Sequence, residues 1–172
     1  MSEAHAPRGD PDPPHQRVPL DELHLHRLLV ALDGSANAEL ALAAALTAAQ
    51  RDHAQLTLLA VVPDVFAQSA GWMAAAADPA RLQQEADAEA QRILRDAVDR
   101  LPDAIPVTTI LRHGKPGPEI VAQARGGNYD AIVMGARGVG RVGALIGSVS
   151  SYVLHRADTA VFVAHAPREH HD

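Results

Sequence analysis

Apolar residues fall along this chain in two rhythms. Short, nearly continuous runs occur at 27–32 (R-L-L-V-A-L), 55–62 (Q-L-T-L-L-A-V-V), 105–111 (I-P-V-T-T-I-L), 131–134 (A-I-V-M) and 160–164 (A-V-F-V-A). Runs of this length without alternation suit strands of a parallel sheet covered on both sides. Between them lie segments with helical spacing. From Ala36 to Arg51 the residues Leu42, Ala45, Leu46 and Ala49 share a face, with Ser35 as cap. From Ala80 to Leu101 the stripe is Leu82, Ala86, Ala90, Ile93, Ala97 and Leu101. A shorter helix is predicted from Pro118 to Arg125, ended by Gly126 and Gly127. A last one opens at Ser148, with Val149 and Val153 on one side.

The order is β-α-β-α-β-α-β-α-β. It predicts an α/β domain, a five-stranded parallel sheet with helices on both faces. The domain is expected over residues 25–167. Residues 1–24 carry five of the twelve prolines with several charges and histidines, and read as a disordered tail. Residues 168–172 form a second, polar tail. The stretch from Asp64 to Pro79, with Phe66, Trp72 and Met73, is compatible with a loop, a short helix or a dimer contact.

Composition narrows the function. The chain has 172 residues, 47% hydrophobic and 21% charged, as expected of one globular domain. The formal net charge of −6 argues against a general nucleic-acid role. There is no cysteine, which removes disulfides, thiolate catalysis and cysteine-ligated metal. No apolar run reaches the ~20 residues of a membrane span, and no secretory signal is legible, so a cytoplasmic location is expected.

The chemistry concentrates between 130 and 166. There an apolar run ends at Gly135, and glycines follow at 138, 140, 143 and 147 before the last helix. Two readings stand. The loop and the helix start present backbone N–H groups that suit phosphate, or the glycines only make turns. Gly138-x-Gly140-x-x-Gly143 matches the dinucleotide fingerprint, but it follows the fourth strand and lacks the acidic partner ~20 residues on. A P-loop and a G-x-S-x-G nucleophile elbow are both absent from the sequence. No carboxylate pair, histidine or lysine stands as a general base beside the loop, so catalysis is not expected. Arg137 and Arg141 add positive charge to it.

Two stretches together resemble the universal stress protein family. L-L-V-A-L-D-G-S near the start resembles its first strand and turn. D-A-I-V-M-G-A-R-G, then G-S-V-S, then T-A-V-F-V-A, resembles its closing third. The family's nucleotide pattern, G-x2-G-x9-G-[ST], corresponds to Gly135, Gly138, Gly147 and Ser148, with eight residues instead of nine in the second gap. Thr159-Ala160-Val161 also stands where members often have a proline-valine pair. The resemblance implies a Rossmann-like fold and a regulatory module binding ATP, with magnesium as a possible companion, and acting as a homodimer in the stress response. It implies phosphate contacts from Gly135, Ala136, Arg137, Gly138, Val139, Gly140 and Arg141, and from Gly147, Ser148, Val149 and Ser150. It places Asp33 near the adenosine and Ala31 and Val61 along the adenine. The homodimer would meet through the last strand, around Val161, Phe162 and Val163. A dimeric interaction module without nucleotide is the alternative.

Overall fold

The computed structural model describes residues 24–64, 78–136 and 147–166. Of the expected N-terminal tail only His24 belongs to this set. Phe66, Trp72 and Met73 lie outside it. Five strands form one parallel sheet: β1 (Arg27–Leu32), β2 (Gln55–Val62), β3 (Val107–His113), β4 (Ala131–Gly135) and β5 (Ala160–Ala164). Four helices connect them: α1 (Ala36–Asp52), α2 (Pro79–Asp99), α3 (Pro116–Gly127) and α4 (Ser148–Arg156). The strand order is β3-β2-β1-β4-β5. β1 is therefore central, with Leu28 beside Leu56 on one side and Ala131 on the other.

Each strand shares its residues between two faces, because successive side chains point to opposite sides. Leu28, Val30, Leu56, Leu58, Ala131 and Val133 pack with Ala41, Ala45 and Ala49 of α1 and with Ala90, Leu94 and Ala97 of α2. Leu29, Leu59, Ile132 and Met134 pack with Ile120, Val121 and Ala124 of α3 and with Val153 of α4. Small residues on α1 let it lie close to the sheet. Burying one of the leucines contributes about 1.5–3 kcal/mol.

The turns explain where the elements begin. Gly34 sits at φ 74°, a conformation glycine adopts without strain. The Asp33 carboxylate accepts from Ser35 N at 3.0 Å, and the Ser35 hydroxyl accepts from Ala38 N at 3.2 Å, capping α1. Asp78 caps α2 through the N–H groups of Ala80 and Arg81. The entry into β1 is held by two carboxylates. Asp130 accepts from His26 N and Arg27 N at 2.6 and 2.8 Å, and Asp52 accepts from Leu25 N at 3.1 Å.

Some boundaries differ from the sequence pattern. β3 starts at Val107, two residues late, because Pro106 has no N–H for a ladder; its carbonyl accepts from Leu56 N instead. α3 starts at Pro116, not Pro118; the first helical N–H groups have no intrahelical partner, so prolines fit there. Gly126 and Gly127 remain inside α3, and Asn128 takes the left-handed position at φ 49°. On α2 only the second half carries buried residues. Leu82 stands 41% exposed, and Leu94 is buried where the predicted stripe placed Ile93, which is half-buried.

Candidate functional site

The cleft opens at the carboxyl ends of β1 and β4, where the strand order reverses. Neighbouring connections there leave to opposite faces, and α/β sheets bind ligands at such points. It encloses about 430 Å³, part of it open to solvent. Its floor is Ala31, Leu59, Val61 and Met134, the second-face residues at the ends of three adjacent strands. Pro116 and Ile120 of α3 form one wall, and Val149 of α4 forms the other. Leu32, Asp33 and Gly135 complete the rim. Asp33 is the one ionisable side chain among these lining residues. The lining suits a flat apolar group with a polar end directed toward α4.

The sequence reading placed Ala31, Asp33, Val61, Gly135 and Val149 at the site, and the fold brings all five to this cleft. It missed Leu32, Leu59, Pro116, Ile120 and Met134. Strand parity was the available signal: Leu59 points as Val61 does, and Met134 as Ile132 does. Arg137, Gly138, Val139, Gly140 and Arg141 lie outside the described residues.

The polar end differs in detail from the expected cradle. Ala136 donates its N–H to Ala164 O at 2.7 Å, so that group is spent on β5. Ser150 is fully buried and donates its hydroxyl to Gly135 O at 3.2 Å, joining α4 to the end of β4. Both residues were expected to reach phosphate, and both are committed to the scaffold. Ser148 is exposed at the start of α4, and Gly147 precedes it with no side-chain cap. A helix start of this kind offers N–H groups and the positive end of the helix dipole. Gly135 has a packing reason of its own. A Cβ there would stand 2.6 Å from Ala38 N and from Asn37 C, so the start of α1 passes directly over it.

The universal stress protein family model matches residues 24–165. The chain belongs to the universal stress protein family. It is 32% identical over 155 residues to universal stress protein Rv2005c of Mycobacterium tuberculosis, covering 90% of this chain and 47% of that one. It thus spans about half the length of that curated relative. Universal stress protein UspA from Lactobacillus plantarum superposes with a TM-score of 0.68 at 27% identity, over 83% of this chain and 99% of that one. The universal stress protein from Archaeoglobus fulgidus in complex with dAMP shares the fold, with a TM-score of 0.61 at 24% identity, over 81% and 98% of the two chains.

Several charge pairs of this universal stress protein domain lie away from the cleft lining. Arg100 pairs with Glu39 at 2.5 Å, and Arg125 with Asp158 at 2.7 Å. His113, at the end of β3, meets Asp87 of α2 at 2.9 Å, and Asp87 also accepts from Gln83. These hydrogen bonds, Gln83 first, hold the Asp87 carboxyl below its ordinary value. Among the described residues, no three His, Asp or Glu side chains cluster to hold a metal. No described helix is long and apolar enough to cross a membrane.

Proposed function

We propose that this universal stress protein domain binds an adenine nucleotide, ATP with magnesium, and acts as a homodimeric regulatory module of the cytoplasmic stress response. The observation that carries the reading is the cleft itself. Ala31, Val61, Ile120 and Met134 supply apolar walls for a base. Asp33 stands at the rim for a ribose hydroxyl or for the magnesium that accompanies the phosphates. The uncapped start of α4 faces the same opening, which favours negative charge. The dAMP held by the Archaeoglobus fulgidus relative belongs to the same chemical class. We read the role as regulatory: Asp33 is the one ionisable side chain among the described lining residues, and ATP turnover measured against a buffer blank tests this.

Isothermal titration with ATP and magnesium tests the reading. Binding should be seen, and Val61→Phe, which fills the cleft, should abolish it without lowering the thermal midpoint. No heat and no competition at millimolar ATP, in protein shown free of bound nucleotide, would sink the proposal. One set of observations favours the second reading, an interaction module without nucleotide. The glycine loop is a residue shorter than the family pattern, and Ala136 and Ser150 spend their polar groups internally. Dimerisation belongs to both readings. β5 is an edge strand, and Phe162 on it is 38% exposed. Such an edge is normally covered. Light scattering of Phe162→Asp should therefore report monomers, and an unchanged dimer would move the interface elsewhere.

A further inference from the structure

A second concavity lies on the outside of the molecule, between α3 and α4. It encloses about 680 Å³, part of it open to solvent. Pro118, Ala122 and Arg125 reach it from α3, and Tyr152, His155 and Arg156 from α4. Spacings of three and four residues put each set on one helix face. The seat of the Tyr152 ring depends on Gly117 in the first turn of α3. A Cβ there would stand 2.8 Å from Tyr152 Cδ1, so the ring lies against helix backbone. The basic side chains of the groove are engaged to different degrees. Arg125 donates Nε to Asp158 Oδ2 at 2.7 Å and Nη2 to Arg156 O at 3.0 Å. His155 donates Nδ1 to Ser151 O at 2.7 Å. Arg156 is exposed, with its guanidinium 4.7 Å from the centre of the Tyr152 ring. No carboxylate among the described residues pairs with it. A guanidinium stacked on a ring keeps the N–H groups along its edge available to an anion.

We propose that this groove docks an acidic segment of a partner protein, Arg156 taking a carboxylate and the α3 side taking a neighbouring apolar side chain. Charge complementarity carries the choice of occupant. The chain has a formal net charge of −6, so an acidic segment meets overall repulsion and is drawn to local positive charge. In the groove two arginines and a histidine stand against the single carboxylate of Asp158. The edge of the Arg156 guanidinium matches a carboxylate with two parallel hydrogen bonds. Pro118, Ala122 and the Tyr152 ring offer apolar surface beside it. A segment with a leucine next to a glutamate satisfies both halves. A phosphate-bearing surface would satisfy Arg156 and leave the apolar half empty. The groove shares no lining residue with the cleft, so the proposal stands apart from the nucleotide reading.

Three peptides probe the two halves: alternating leucine and glutamate, leucine and glutamine, and serine and glutamate. Each is titrated into the isotope-labelled full chain, and backbone amide shifts are followed by NMR. The leucine–glutamate peptide should move the amides of Ala122, Arg125, Tyr152 and Arg156, and the other two should bind about tenfold or more weakly. Arg156→Gln should weaken the leucine–glutamate peptide about tenfold, whereas Arg95→Gln, at an exposed arginine of α2, should change it by less than about twofold. Ala122→Glu sets a carboxylate in the groove and should abolish binding with the thermal midpoint unchanged. Should that variant fold poorly, Arg156→Gln, at an exposed position, carries the test. No shifts at millimolar peptide overturn the proposal, as do equal binding of the leucine–glutamine peptide and equal losses in the two arginine variants. The same amides moving when the protein alone is concentrated would give the groove to a second copy. Their moving with phosphatidylglycerol vesicles, and with no peptide, would give it to a membrane surface. Either result overturns the proposal.

Discussion

On the face of the sheet covered by α1 and α2, packing continues to the ends of the strands. On the face covered by α3 and α4 it stops short. Adjacent residues on the same strands show this: Leu32 and Val62 are 5% and 3% exposed on the first face, while Ala31 and Val61 on the second are half-buried. Helix length is the reason. α1 and α2 have 17 and 21 residues, whereas α3 and α4 have 12 and 9. At ~1.5 Å per residue, α4 spans roughly 14 Å, about half the length of β2. The uncovered remainder is the cleft. Among the described residues, the candidate site is thus a region of sheet that its short helices leave open, and the opposite face carries the larger core that makes this tolerable.

The sharpest test compares two residues of β2. Leu58 is fully buried on the closed face, and Leu58→Ala should cost about 2–5 kcal/mol in urea unfolding. Val61→Ala, three residues on and beside the open cleft, should cost less than about 1 kcal/mol, because its neighbours already border solvent. Equal costs would mean that the two faces are equally packed. Gly135→Ala comes next. Its new Cβ points to the closed face and meets backbone atoms of Asn37 and Ala38 that no rotamer change can move. A loss of about 1–3 kcal/mol is expected, read as a lower thermal midpoint.

A smaller effect belongs to pH. The Arg51 guanidinium first, and then the Leu25 N–H, hold the Asp52 carboxyl well below the usual carboxylate range. A lowered value means stability that is present above the unfolded value of about 4 and lost as pH falls through the folded one. Asp52→Asn should therefore be less stable than wild type near neutrality, with the gap narrowing in acid. A gap that stays constant from pH 7 to pH 3 would show that ionisation of Asp52 is not the cause. Smallest of all is Leu82→Ser on the exposed first half of α2. It should change stability by no more than about 0.5 kcal/mol, and a larger loss would place a covering element over that end of the helix.

Much of this arrangement could be read from the residues. β1, β2 and β5 run as the apolar pattern predicts, since a continuous run has few other ways to be buried. Local pattern failed where a distant contact decided. Leu82 fits the helical stripe as well as Ala86 does, but the stripe outruns the sheet beneath it. Gly135 reads as a ligand glycine in a motif, yet α1 also requires it. Ser150 shares a motif with Ser148, and about half a helical turn separates an exposed residue from a fully buried one. Pro116 and Ile120 joined the site through the right-handed crossover, which strand order alone would have placed.

The central position of β1 bears on the order of events as the chain is made. Leu28 meets Leu56 within one helix-turn-strand unit, but its other neighbour, Ala131, emerges roughly a hundred residues later. Until then one edge of the central strand has no partner. A nascent chain paused between β3 and β4 would hold β1, β2 and β3 with Leu29 and Val30 beside an open edge, a state prone to association. The interval between synthesis of His113 and of Ala131 is therefore when this protein most needs protection.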